Sequence, residues 1–111
     1  MNFIKILFQL LNTKYHITRG HKLARRGSYK KALFHYQLAQ KHYDEAKLSP
    51  PNLLECIAQS YAKLGNYKDA LLYAERSLEG FKRLEKTSPI FSKSARRVDE
   101  FISTLKPGEG I

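Results

Sequence analysis

Apolar side chains recur at steps of three, four and seven along almost the whole chain, the period of a helix with one covered side. From Phe3 to Leu11 seven of nine residues are apolar, and Asn2, Lys5, Gln9 and Asn12 form one narrow polar stripe. Thr13 to Arg26 reads as a helix with Tyr15, Ile17, Leu23 and Ala24 as inner candidates; no breaker separates it from the first segment. Gly20 in its middle fits a place where a neighbouring helix comes close. Gly27 ends that helix and Ser28 is placed to cap the next. Tyr29, Ala32, Leu33, Tyr36, Ala39, Tyr43 and Ala46 then form one long apolar face, ending near Lys47.

Ser49-Pro50-Pro51 is a stop-and-start signal, with serine as expected cap and proline in the first turn. Leu53, Leu54, Ile57, Ala58, Tyr61, Ala62 and Leu64 give the next face, closed by Gly65, with Asn66 as the following cap. Tyr67, Ala70, Leu71, Ala74, Leu78, Phe81 and Leu84 repeat the earlier long face. Ser88-Pro89 repeats the stop, and Ile90, Phe91, Ala95, Val98, Phe101, Ile102 and Leu105 line a last helix. Residues 106–111 carry breakers and no pattern, as a loose tail would. The predicted fold class is all-α, in antiparallel helix pairs joined by short turns.

The pairs are copies. Gly27-Ser28-Tyr29-Lys30-Lys31-Ala32-Leu33 returns 38 residues later as Gly65-Asn66-Tyr67-Lys68-Asp69-Ala70-Leu71. A period of this length marks a repeat whose single unit cannot bury its own apolar face. The pattern resembles the tetratricopeptide repeat. Gly20, Leu23, Gly27, Tyr29, Ala32, Tyr36 and Ala39 carry the likeness in the first unit. Leu54, Ala58, Tyr61, Gly65, Tyr67, Ala70 and Ala74 carry it in the second, with Pro89 following. The period is longer than the family's usual 34 by about one helical turn. The resemblance implies a right-handed superhelix of helix pairs over residues 13–105, with units 13–50 and 51–88 and a capping helix at 89–105. Residues 1–12 are expected as an apolar helix before it, free to run on into the next, and 106–111 as a tail.

The resemblance also implies a non-enzymatic binding module that holds an extended segment in a concave groove. Its groove-facing positions are Lys14, Ile17, His21, Ala24 and Arg25, then Asn52, Glu55, Gln59, Ala62 and Lys63, joined by Lys93 and Arg97 if the last helix stacks in phase. That wall is basic apart from Glu55 and suits an acidic protein or peptide segment. Where the family's chaperone-tail readers carry their Lys, Asn and Arg residues, this chain has Ile17, His21, Cys56, Ile90 and Ser94, so the resemblance implies no such ligand.

Charge sharpens the picture. The net charge is +10, and Met1 to Tyr43 holds nine Lys/Arg and no acid, whereas the remainder is nearly balanced. A block of one sign points to an acidic partner, whether protein, nucleic acid or anionic lipid, or else to a solvated helix face. Arg19, Lys22, Arg25, Arg26, Lys30 and Lys31 around the first turn are the residues that would track a nucleic-acid backbone. The aromatics stand at core spacing rather than in a stacking platform. Three fates are open to the first segment: packing on the domain, pairing through Phe3, Ile4, Leu7, Phe8 and Leu11 with a second copy, or contact with a membrane surface. The apolar run is too short to span a bilayer.

No phosphate loop, nucleophile elbow or paired-carboxylate pattern is present, so no enzyme activity and no cofactor is expected. His16, His21, His35 and His42 lack the interleaved ligands of a metal site and read as surface or groove histidines, and His21 in the groove would make binding pH-sensitive. Cys56, the one cysteine, excludes an internal disulfide and reads as a buried thiol. A cytoplasmic location is expected.

Overall fold

The computed structural model describes residues 2–45 and 49–105. Among these every regular element is helical: α1 (Phe3–Arg25), α2 (Tyr29–Glu45), α3 (Pro51–Lys63), α4 (Tyr67–Glu85) and α5 (Ser92–Thr104), with a 3-10 turn at Pro89–Phe91 before α5. Two units result, Met1–Ser49 and Pro50–Ile111. The expected apolar position Ala46, the end of the second helix near Lys47 and the tail 106–111 lie outside the described residues.

In the first unit α1 and α2 form an antiparallel hairpin, since Asn12 meets His42 while His21 meets Tyr36. The segments 3–12 and 13–25 are one continuous helix, capped by Asn2, whose side chain accepts from the backbone N–H groups of Ile4 and Lys5. The hairpin reverses at Gly27, whose φ of +82° is left-handed. There the Gly27 N–H donates to Ala24 and the Ser28 N–H to Leu23, so that the last carbonyls of α1 are satisfied. The second unit repeats this turn: Gly65 has φ +83°, its N–H donates to Ala62, and that of Asn66 to Tyr61. A left-handed residue with a side chain costs roughly 1–2 kcal/mol, which explains glycine at both elbows.

Gly20 is buried for a different reason. A Cβ placed there would lie 2.6 Å from Cε1 of Tyr36, so the ring of α2 occupies the space a side chain would fill. In the second unit the corresponding residues, 38 positions on, are Ala58 and Ala74, both fully buried. One unit pairs nothing with a large ring and the other pairs two methyl groups. Farther along, a Cβ at Gly80 would stand 2.9 Å from Pro51 Cβ, and Ser77 Oγ donates to the Pro51 carbonyl at 2.7 Å. The core of this unit joins α3, α4 and α5 through Ala58, Ala70, Ala74, Phe81, Ala95, Val98, Ile102 and Leu105.

Several expectations are corrected. Tyr15 is 58% exposed. The side of α1 that meets α2 runs through Asn12, His16, Gly20 and Leu23; Tyr15 stands at its margin, meeting the His35 ring only edge-on. Leu64, Tyr67, Leu84 and Ile90 are exposed because they stand at helix ends or in the 3-10 turn, where fewer neighbours are available. Ser49 is not the cap of α3: Pro50 is, without a side-chain bond, because Pro51 forces the residue before it into extended backbone. Ser88 likewise makes no side-chain capping bond, and the last helix begins at Ser92 rather than at Pro89. Cys56 is half-buried rather than buried. Asn66 does cap α4, accepting from the Asp69 N–H and donating to its carboxylate.

The Gly20 contact gives a direct test. Gly20→Val should lower stability by about 1–3 kcal/mol through overpacking against Tyr36, read as a lower urea midpoint at unchanged slope. Gly20→Ala with Tyr36→Ala rebuilds the pair found in the second unit and should cost less than the sum of the two single changes.

Candidate functional site

The ten expected binding residues fall into two sets. Lys14, Ile17, His21 and Arg25 follow one another on α1 at steps of three and four and so share a face. Lys14, His21 and Arg25 are exposed, and Ile17 is half-buried. In the second unit Asn52, Glu55, Gln59 and Lys63 share a face of α3, and Lys93 and Arg97 a face of α5. All of these are exposed except Glu55.

Glu55 is the correction to the expected wall. Its side chain is 8% exposed, and both its oxygens are taken by Arg97: Nε donates to Oε2 and Nη2 to Oε1, each at 2.7 Å. Arg97 remains 53% exposed, lies over the Phe81 ring, and has its pKa raised chiefly by the hydrogen bond to Glu55. This is the one ion pair among the described residues. A forked guanidinium on a carboxylate is the geometry that best offsets the loss of water around a buried charge. Glu55 is therefore a structural anion joining α3 to α5, and the acid that would have interrupted the basic wall is neutralised from within.

The histidines of the first unit join its helices. His16 Nδ1 and His35 Nδ1 lie 2.9 Å apart, so one ring donates its proton to the lone pair of the other. His21 Nδ1 lies 2.8 Å from the hydroxyl of Tyr36, and His42 Nε2 lies 3.3 Å from the amide nitrogen of Asn12. His35 has its pKa lowered by desolvation first, then by His16 and Arg19. His21 is lowered by desolvation and then by Arg25; the residue is exposed as a whole, but the ring edge toward Tyr36 is shielded. Among the described residues no three His, Cys, Asp or Glu side chains converge as a metal site requires. A shallow cavity of about 230 Å³ between α4 and α5 is lined by Lys82 and Arg96 against Glu85 and Asp99, a mixed set with no excess of either sign.

The expected self-association residues Phe3, Ile4, Leu7, Phe8 and Leu11 are all exposed. Among the described residues of the first unit, α2 leaves this segment uncovered. No helix among the described residues is long and apolar enough to cross a membrane.

Two outcomes follow. Arg97→Ala should cost about 2 kcal/mol by stranding a buried carboxylate, and adding Glu55→Gln should recover part of the loss, measured by urea denaturation. Both His21 and His35 have folded pKa values below the ordinary 6.5, so the unfolded chain binds more protons. Stability is then unpenalised above about pH 6.5 and falls as pH drops through that value toward the lower folded pKa values. Thermal melts at descending pH should show a falling Tm. His16→Leu with His35→Tyr, the residues the second unit carries at these positions, should flatten the fall.

Comparison with family models, with curated proteins and with solved structures finds no match to this chain.

Proposed function

We propose that the protein is a non-enzymatic, tetratricopeptide-like adaptor, working in the cytoplasm, that holds an extended acidic protein segment against its basic helix faces. The observation that carries this reading is the Arg97–Glu55 fork. Glu55 is the only acid among the expected binding residues, and its charge is cancelled inside the protein. Lys14, Arg25, Lys63 and Lys93 stay exposed and form no ion pair among the described residues. Cations held on rigid helix faces are available for charge-assisted bonds to carboxylates at little ordering cost. The matching glycine elbows and the close helix approaches at Gly20 and Ala58 support the family reading.

Binding of fluorescent poly-glutamate tests the reading. The wild-type protein should bind with an affinity that falls with salt. Arg25→Glu should weaken binding by about tenfold or more and leave the helical circular dichroism intact. Binding that survives this change refutes the assigned residues. Gel shifts with a short RNA and a short DNA duplex across a salt series decide against the nucleic-acid alternative if no shift occurs at low salt.

A further inference from the structure

The first turns of α1 are amphipathic in the opposite sense to a packed helix. The side that meets α2 is marked by Asn12 on His42, His16 on His35, Gly20 on Tyr36 and the buried Leu23. Stepping back along that line by three and four residues reaches Gln9 and Lys5. The polar stripe of the segment thus lies on the α2 side, and its apolar residues point outward. Ile4 is 75% exposed and Phe8 71%. Outward along the helix, Ile4, Phe8, Leu11, Tyr15, Thr18 and Lys22 follow at steps of three and four, and all six are exposed. Their chemistry changes in order along the axis, from aliphatic and aromatic, through a phenol, to a hydroxyl and a cation.

We propose that this outward face of α1 docks on an anionic lipid surface. With α1 lying along the surface, the apolar stretch from Ile4 to Leu11, about 10 Å long, would enter the headgroup and acyl boundary sideways, as the apolar face of an interfacial helix does. Tyr15 follows along the axis, its ring edge-on to those of His16 and His35 and still 58% exposed, an amphipathic ring of the kind favoured at the interface. Lys22 and Arg26 come after it, where anionic headgroups would meet them. A second copy of the chain fits less well on two counts. The exposed apolar arc is about 200° wide at 100° per residue, more than one partner helix covers. Pairing would also bring together two segments that each carry nine cations and no acid from Met1 to Tyr43. With no helix able to cross a bilayer among the described residues, the contact is one of surface rather than span.

Flotation of the full chain with phosphatidylcholine vesicles, with and without roughly 30% phosphatidylserine, tests the proposal at about 0.15 M salt. The protein should float with the anionic vesicles and weakly or not at all with the neutral ones. Ile4→Glu with Phe8→Glu should lower the partition coefficient by about tenfold or more, and Lys22→Glu with Arg26→Glu by a similar factor. All four positions are exposed, so thermal melts should be preserved; Ile4→Asn with Phe8→Asn repeats the first test without added charge. Absence of flotation with anionic vesicles overturns the proposal, as does flotation unchanged by the Ile4 and Phe8 substitutions. A sedimentation mass that doubles in the wild type and halves in Ile4→Glu/Phe8→Glu, without flotation, assigns the face to a second copy instead.

Discussion

How near two paired helices can approach is the constraint from which the rest of this structure follows. At Gly20 the answer is set by the absence of a side chain, and the ring of Tyr36 fills the gap. That contact fixes the rotation of α1 about its own axis. Once Gly20 faces α2, residues three and four away on the same line must face it too, which brings His16 to His35 and Asn12 to His42. Everything on the far side, apolar at one end and cationic at the other, is turned outward. The second unit uses the same backbone with the volumes shared differently, through Ala58 and Ala74, and has Pro51 against Gly80 where the first has Thr13 and His42.

The two units differ electrostatically as much as they agree in backbone. The first holds its cations with no acid before residue 44 and joins its helices through imidazole rings. The pKa values of His21 and His35 are lowered first by desolvation and then by neighbouring Arg25, and His16 with Arg19, respectively, so the two rings favour the neutral form there. The second unit has acids in hand and uses one, Glu55, to tie its outer helices together.

Much of this was legible in the chain. The repeat of Gly27 and Gly65 foretold both elbows, because only a left-handed residue permits that reversal. Gly20 announced a close approach, since a mid-helix glycine is otherwise a cost. Periodicity alone did not reveal which side of residues 3–11 would find neighbours; it defines an apolar arc but not its direction, and the direction came from a contact sixteen residues or more away in sequence. Tyr15 was misjudged for the same reason. The capping role expected of Ser49 failed on local stereochemistry, as Pro51 dictates the conformation of Pro50 whatever serine offers. The resemblance put Glu55 and Arg97 on one wall, but nothing in sequence spacing says that residues 42 apart will neutralise each other.

That last pair bears on how the second unit assembles. A carboxylate on α3 has its counter-charge on α5, so the fork exists only once α5 has docked, and until then Glu55 lacks the Arg97 cover. The tie between α3 and α5 spans 42 residues, so it forms only on closure of a long loop, and it belongs to the late contacts of this half of the molecule.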